Sequence, residues 1–266
     1  MPSCLYGSNG LLKVIHYDSG FFSCCSVRLH YIIEYFNKFK QLPEVLDSSE
    51  MLHWYRPGTM DTYFQTLPTK IQYGRQIDYT HDHQYTDYMK LDKSLKLFID
   101  KYFTPSEEIQ GLVNQLEVKY QISYDNLCVL FYRGNDKVTE TPISPYSDYI
   151  ERARNLLSEK PDLSFLVQSD ETEFINAMTA EFPGKCIVFR DEIRHMPKSL
   201  TTVDRVFKDV NFVYSKYYLA ITIIMSKCSY IICGSGNCSI WIALFRINFR
   251  GNNNGMQQFL ETSWIE

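Results

Sequence analysis

Short apolar runs, separated by polar loops and amphipathic stretches, dominate the second half of the chain. The runs have no period of two, which predicts strands buried on both faces of a sheet. The predicted strands lie at 127–132, 163–167, 186–189 and 230–233. Apolar residues at helical spacing predict helices that start near residues 145, 170, 217 and 237. Asp170 and Glu173 have the spacing of a capping box for the second of these helices.

This repeated order of strand, loop and helix predicts an α/β fold with a parallel sheet covered by helices. In such sheets ligands bind at the carboxyl ends of the strands, in the loops that lead into the helices. We therefore expect a binding site in the loops at 133–140, 168–171 and 234–237.

The first half has a less regular pattern, but it also predicts both kinds of element. Its predicted strands lie at 12–17 and 43–47, and its predicted helices lie at 24–39, 92–103 and 105–119. We expect two domains: an N-terminal α/β domain at 1–122, and a C-terminal Rossmann-like domain at 123–266.

The composition argues against several classes of function. The 266 residues carry 27 Lys and Arg against 31 Asp and Glu, without a block of like charge, which argues against nucleic acid as a partner. The first residues do not form a secretion signal, and the longest apolar run, 217–225, is too short to span a membrane. We therefore expect a cytoplasmic protein. The eight cysteines include no Cys-x-x-Cys pair, which favours reduced, buried thiols over a zinc site.

The loop after the strand at 127–132 concentrates charged residues at a strand end. Arg133 can donate two parallel hydrogen bonds to a phosphate, and Lys137 adds a compact positive charge. Asp136 and Glu140 are carboxylates that can take a proton from an attacking hydroxyl. A solvated turn with incidental charges is the alternative interpretation.

The loop at 234–239 is the second candidate. Gly234 and Gly236 allow backbone N–H groups to approach an anion, and the following helix directs its positive N-terminus to the same place. The loop lacks the full Gly-x-Gly-x-x-Gly pattern, so a plain strand-to-helix turn is an equal alternative.

Two further polar groups favour a structural interpretation. Asp170 and Glu171 follow the second strand, and helix capping explains them without a ligand. A cluster of histidines and aspartates has the residue types of a metal site but no helical pair of histidines, so a solvated loop is favoured. Its members are Asp78, His81, Asp82, His83 and Asp87.

Taken together, these segments resemble one enzyme family. Residues 129–138, Val-Leu-Phe-Tyr-Arg-Gly-Asn-Asp-Lys-Val, are similar to the motif His-Val-Arg-Arg-Thr-Asp-Lys-Val of the α1,6-fucosyltransferase group. Residues 168–171 and 225–236 are similar to two later motifs of that family, in the same order. Residues 20–23, Gly-Phe-Phe-Ser, stand where the family has a Gly-rich loop between strand and helix. The similarity covers most of residues 127–245.

The resemblance implies a GT-B-like glycosyltransferase with two Rossmann-like domains that face each other across a cleft. Such enzymes invert the anomeric centre without a divalent metal, because positive side chains and backbone amides hold the departing diphosphate. Arg133 matches the arginine that binds the β-phosphate, and Lys137 matches the family's lysine. Glu140 matches the proposed base, with Asp136 as the alternative. The expected donor- or phosphate-binding residues also include Asp170, Gly234, Ser235, Gly236, Asn237, Ser239, Phe21, Phe22 and Ser23.

Three departures from the family motif bear on the donor. The family's second arginine is Gly134 here, and the two residues that hold guanine correspond to Phe131 and a position near Ile221. A site built on hydrogen bonds to one base discriminates strongly against others, so we expect a base other than guanine. The chain also resembles small cytosolic transferases of large algal viruses that build capsid glycans, some of which use UDP-xylose.

We therefore expect transfer of a sugar from a nucleotide-sugar co-substrate to a hydroxyl of an oligosaccharide or glycoprotein glycan. UDP-xylose is the first expected donor and GDP-fucose the alternative. A non-catalytic nucleotide- or glycan-binding protein is the alternative of another class. A Rossmann-type oxidoreductase is disfavoured, because the three-glycine fingerprint and its acidic partner are missing from the sequence.

Overall fold

The computed structural model of the chain describes residues 1–72, 74–249 and 259–261. Its strands are β1 (Ser3–Tyr6), β2 (Leu11–Ile15), β3 (Val45–Glu50), β4 (Phe64–Gln65), β5 (Thr104–Pro105), β6 (Leu127–Tyr132), β7 (Ser164–Ser169), β8 (Cys186–Ile187), β9 (Tyr230–Cys233) and β10 (Phe259–Glu261). Its α-helices are α1 (Phe21–Phe39), α2 (Met60–Tyr63), α3 (Leu95–Tyr102), α4 (Glu107–Lys119), α5 (Tyr146–Glu159), α6 (Thr172–Glu181), α7 (Val203–Val206), α8 (Asn211–Lys227) and α9 (Asn237–Phe249).

A parallel sheet forms the centre of the second half. Its strand order is β10-β9-β6-β7-β8, and every neighbouring pair is parallel. The central strand β6 is buried at all its positions, because helices cover both faces of the sheet. The predicted α/β class and the predicted parallel sheet are confirmed.

The connection between β7 and α6 differs from its prediction. Glu171 is the N-cap of α6, its side chain makes no capping hydrogen bond, and the helix starts at Thr172. The capping box predicted from Asp170 and Glu173 is therefore wrong. The physical reason is that tertiary partners bind both carboxylates: Asp170 accepts a hydrogen bond from the Gly134 amide at 3.0 Å, and Glu173 accepts one from the Lys198 amide at 3.1 Å.

A smaller mixed sheet belongs to the first half. Strand β2 pairs antiparallel with β1, which the sequence pattern did not predict, and parallel with β3. Helix α1 begins at Phe21, three residues before the predicted start at residue 24. The extra turn forms because the Phe21 amide donates a hydrogen bond to the Tyr55 hydroxyl at 2.7 Å, and the Phe21 ring packs against the rings of Tyr55 and Tyr63.

The two halves share one continuous hydrophobic core. Trp241 of α9 donates its indole N–H to the Ser26 hydroxyl of α1 at 2.9 Å, and its ring lies 4.7 Å from that of Phe103. The hydroxyls of Tyr63 and Ser215 lie 2.7 Å apart. These contacts place the loops after β2, β6 and β9 around one cavity. The predicted division into domains 1–122 and 123–266 stays a prediction.

The eight cysteines are free thiols, and most are buried. Burial raises the pKa of Cys24 to about 12 and that of Cys238 to about 11. Of the helices in the described residues, none combines the length and the apolar character that crossing a membrane requires.

Candidate functional site

The candidate site is a cavity of about 470 Å³ between the two halves of the chain. This volume falls in the range of small-molecule sites, about 300–1,000 Å³. The N-terminal wall consists of residues 18–23, Trp54 and Gln84. The C-terminal wall consists of Phe131, Arg133, Asp136, Lys137, Thr139, Glu140, Thr201, Thr202, Asp204, Arg205, Tyr218, Gly236, Asn237, Cys238 and Ser239.

Arg133 lies directly after β6, and two carboxylates hold its guanidinium. Its Nε lies 3.0 Å from Asp170 Oδ2, and one terminal nitrogen lies 3.0 Å from Asp136 Oδ1. Burial alone would lower the pKa of Arg133, but Asp170, Tyr218 and Asp136 raise it well above its ordinary value. The guanidinium is therefore a fixed positive charge whose side chain is still 30% exposed.

The backbone after Arg133 is fixed by the acidic pair that follows β7. The Asn135 amide donates to Glu171 Oε2 at 3.3 Å, and the Asn135 side-chain amide donates to the Asp170 carbonyl at 2.7 Å. A Cβ at Gly134 would lie 1.8 Å from Glu171 Oε2, so a larger residue there would have to displace the carboxylate that accepts the Asn135 amide. Burial raises the pKa of Glu171, and the Asn135 N–H partly offsets that effect.

Lys137 brings a second positive charge to the same wall. Its side chain is only 8% exposed, and its Nζ lies 2.6 Å from Glu140 Oε2. The same Nζ lies 5.1 Å from the centre of the Tyr85 ring, which is a cation–π distance. The carboxylate of Glu140 is half-exposed, so this ion pair is accessible from the cavity.

Two helix N-termini open onto the cavity. Helix α1 presents residues 20–23, and α9 presents residues 236–239. Neither helix has an acidic residue in its first turn, so neither first turn carries a negative charge of its own against the helix dipole. Together with Arg133 and Lys137, these N-termini make this part of the cavity suitable for an anion with several oxygens.

Most of the residues predicted from the sequence meet in this cavity. Those that line it are Arg133, Asp136, Lys137, Glu140, Gly236, Asn237, Ser239, Phe21, Phe22 and Ser23. Three predicted residues do not. Asp170 lies beneath Arg133, while Gly234 and Ser235 line a separate small cavity that also touches Arg133 and Lys137. The Ser239 hydroxyl donates to the Gly234 carbonyl at 2.5 Å and so holds this turn.

Several lining residues were not predicted. The segment that includes Thr201 and Arg205 follows the third strand, so the strand-end rule gave a signal for it. The sequence contains no comparable signal for Trp54, because its short 3-10 helix reaches the cavity only by tertiary packing. The Trp54 indole N–H donates to Asp18 Oδ1 at 3.3 Å, and the guanidinium carbon of Arg205 lies 5.6 Å from the Trp54 ring centre.

A second, smaller cavity of about 40 Å³ adjoins Arg133. Gln168 is buried there, and its Oε1 has no hydrogen-bond partner among the residues that the structure describes. The carboxylate of Glu192 at the same cavity accepts hydrogen bonds from Lys119 at 2.6 Å and Tyr120 at 2.7 Å. Arg194 and Asp204 form an ion pair of 2.7 Å. Phe131 and Ile221 add apolar surface.

The histidine and aspartate cluster lies elsewhere, around the 3-10 helix His81–Tyr85. His83 Nε2 lies 3.9 Å from Asp78 Oδ1, and His81 Nε2 lies 3.6 Å from Asp82 Oδ1. Both aspartates are largely exposed. Within residues 1–72 and 74–249, no group of three such side chains has the arrangement of a metal site.

Comparison with known proteins gave matches among solved structures alone: no family model and no curated protein matches the chain. A structure of NodZ α-1,6-fucosyltransferase soaked with GDP-fucose is 9% identical, with a TM-score of 0.37 over 58% of this chain and 47% of that chain. The fucosyltransferase NodZ from Bradyrhizobium is 11% identical, with a TM-score of 0.38 over 59% of this chain and 46% of that chain. The matched part thus spans about half the length of these structures.

Proposed function

We propose that this chain is a glycosyltransferase that moves a sugar from a nucleotide-sugar to a hydroxyl of a glycan, with inversion of the anomeric centre. One observation carries the proposal. Two fixed cations, Arg133 and Lys137, and the N-termini of α1 and α9 open onto one cavity between the two halves of the chain.

The diphosphate of the donor is the group that this arrangement suits. When the bond from the anomeric carbon to the diphosphate breaks, negative charge grows on the phosphate oxygens. Preorganised donors and cations stabilise such charge more strongly than water does. Arg133 is already held by Asp170 and Asp136, so its position costs little reorganisation. With these charges in place, we propose that transfer needs no divalent metal.

The small cavity beside Arg133 suits the edge of a nucleobase. Gln168 Oε1 lacks a partner there, and it can accept a hydrogen bond from the imide N–H of uracil. Guanine presents two neighbouring N–H donors, for which a free carboxylate is the better partner. Glu192 and Asp204 are both bound to cations. We therefore propose a uridine donor, UDP-xylose first, with GDP-fucose as the alternative.

The reaction is a single displacement. An acceptor hydroxyl attacks the anomeric carbon from the side opposite to the diphosphate and loses its proton to a carboxylate. The sequence predicts Glu140, or alternatively Asp136, for that role. Both contact a cation, at 2.6 Å and 3.0 Å. If neither they nor another group acts as base, the chain is a nucleotide- or glycan-binding protein without catalysis.

The first test measures the melting temperature of the protein with UDP, GDP, UDP-xylose or GDP-fucose, each with and without EDTA. A ligand that binds the folded state raises the melting temperature, so the correct nucleotide identifies itself. We expect stabilisation by UDP and UDP-xylose that EDTA does not remove. Stabilisation by the guanine nucleotides alone would overturn the uridine assignment, and a need for manganese would overturn metal-free transfer.

The second test is Arg133→Ala, assayed by release of nucleoside diphosphate from the donor with methyl glycosides as acceptors. We expect kcat to fall by about a hundredfold or more, because one donor to the developing charge is lost. Arg133→Lys keeps a positive charge beside the buried Asp170, so it controls for misfolding of the alanine variant. It should still lose most of the rate, because lysine cannot donate two parallel hydrogen bonds to a phosphate. Arg154→Ala, an exposed arginine outside the cavity paired with Glu181, is the control. Full activity in both Arg133 variants would refute the proposal.

A further inference from the structure

Four carboxylates line the main cavity, and three of them are bound to cations. Asp136 lies 3.0 Å from Arg133, Glu140 lies 2.6 Å from Lys137, and Asp204 lies 2.7 Å from Arg194. A carboxylate oxygen that contacts a cation is already occupied, which leaves it less accessible to the hydroxyl of an acceptor. These three groups are therefore better suited to holding their cations than to taking up a proton.

Asp18 is the fourth carboxylate, and it differs from the others. Within the part of the chain that the structure describes, it forms no ion pair, and its hydrogen bond comes from the Trp54 indole N–H at 3.3 Å. It is exposed to the cavity and belongs to the N-terminal wall, directly after β2. The cations Arg133 and Lys137 belong to the other wall.

The backbone at Asp18 is also unusual. Its φ is 50°, in the left-handed region, which is unfavourable for a non-glycine residue. Aspartate and asparagine enter this region more readily than other side chains. Strained residues of this kind cluster at functional sites, where the surrounding structure holds them in place. Here the indole of Trp54 fixes the carboxylate, so the conformation aims a free acceptor oxygen into the cavity.

We propose that Asp18 is the general base of the transfer reaction. As the acceptor oxygen forms its bond to the anomeric carbon, its proton passes to a carboxylate oxygen of Asp18. The bond from the anomeric carbon to the diphosphate breaks, and its electron pair leaves with the nucleoside diphosphate. The protonated Asp18 then returns its proton to solvent. A base on the N-terminal wall and cations on the C-terminal wall separate proton uptake from charge stabilisation, as inversion requires. This inference rests on the proposed function.

The test is Asp18→Asn, assayed with whichever of UDP-xylose and GDP-fucose the wild-type protein consumes. Asparagine tolerates the left-handed backbone and can still accept the Trp54 hydrogen bond, so the fold should be preserved. We expect kcat to fall by about a hundred- to ten-thousandfold, the usual contribution of a general base. The KM for the donor and the affinity for the nucleoside diphosphate should stay unchanged.

Two variants on the C-terminal wall, Asp136→Asn and Glu140→Gln, serve as comparisons with Asp18→Asn. The control is Asp162→Asn, which changes an exposed aspartate outside the cavity. The Asp136 and Glu140 variants should weaken nucleotide binding more than they lower kcat. Near-normal kcat in Asp18→Asn, a rise in KM alone, or a larger kcat loss in Glu140→Gln would each overturn the assignment. If the wild-type protein transfers no sugar and binds no nucleotide, the proposed function itself fails, and that result is separate from these.

Discussion

The two walls of the cavity are built by different kinds of interaction. On the C-terminal wall, charged side chains follow parallel strands and are locked in ion pairs, as Arg133 is with Asp170 and Asp136. On the N-terminal wall, the described residues 16–20 after β2 form no ion pair; this loop is held by hydrogen bonds, such as the one that the Tyr55 hydroxyl accepts from the Phe21 amide. Its carboxylate, Asp18, carries no cation in the described structure.

Under the proposed function, this difference suits the two walls to different tasks. A set of ion pairs fixes positive charge in advance, which suits stabilisation of a leaving diphosphate. A wall without such pairs leaves its carboxylate available for protons, which suits the acceptor side. The two walls should therefore respond differently to mutation and to pH.

The largest effect on the reaction rate is expected from a substitution that disturbs the backbone of the C-terminal wall. In Gly134→Ala the new Cβ would overlap Glu171 Oε2, so the Glu171 carboxylate must move, and with it its hydrogen bond to the loop that carries Arg133. A displacement of about 1 Å costs on the order of a hundredfold in rate, which we expect in kcat/KM. Gly111→Ala in α4 is the matched control, because nothing lies within 4 Å of its Cβ. That variant should stay active and gain up to about 1 kcal/mol in stability. Equal activity of the two variants would contradict a preorganised C-terminal wall.

The next-largest effect is a pH dependence of stability that arises from His16, beside the N-terminal wall. Burial, and then the charge of His81, lower the pKa of His16 to about 4, while its Nε2 lies 3.2 Å from the Ser23 hydroxyl. The unfolded chain binds a proton at His16 near pH 6.5 and the folded chain does not, so stability falls as the pH drops from about 6.5 towards 4. Between pH 7 and 5 this amounts to about 2 kcal/mol.

Urea unfolding at pH 7, 6 and 5 measures that loss, and His16→Gln should reduce it. The pKa of His30 and that of His195 are also lowered by burial, so part of the pH dependence should remain in the variant. Identical pH profiles for wild type and His16→Gln would show that the histidine is not held neutral by the fold.

The smallest effect on function is expected from removing one cation, Lys137, from the C-terminal wall. Lys137→Met keeps the volume and leaves Glu140, which is 46% exposed, free to hydrate, so the fold should hold. We expect nucleoside diphosphate to bind about tenfold more weakly, because one charge-assisted contact to phosphate is lost. Lys216→Met is the matched control, because it breaks an ion pair of the same length, 2.6 Å to Glu108, outside the cavity. Calorimetry should find that this variant binds nucleoside diphosphate as tightly as the wild type does. Comparable losses in both variants would point to general electrostatics rather than a local contact.

Much of the C-terminal half could be predicted from its residues. Strand β6 matches its predicted bounds, and β9 does as well, because fully apolar runs have few alternatives to burial in a sheet. The rule that ligands bind at carboxyl strand ends then selected the loops of Arg133 and Gly236, both of which line the cavity.

The prediction was weaker where partners come from far along the chain. Strand β8 ends at Ile187, two residues before its predicted end, since only Phe165 and Leu166 of β7 pair with it. The local sequence of Asp170 fits a helix cap, and the family resemblance adds a role in donor binding. Its actual partner, Arg133, is 37 positions away in the sequence, and nothing in the local pattern signals that contact.

The sequence by itself determined the parallel α/β sheet, the burial of its strands and the positions of Arg133, Lys137 and the 236–239 turn, because these depend on local periodicity and on which ends of parallel strands meet. Only the tertiary structure decided which charges are paired. Ion pairing depends on distances of a few ångströms between side chains remote in sequence. For that reason Asp18 is, within the described structure, the cavity carboxylate without a cation, while Asp136 and Glu140 are partners of the positive charges.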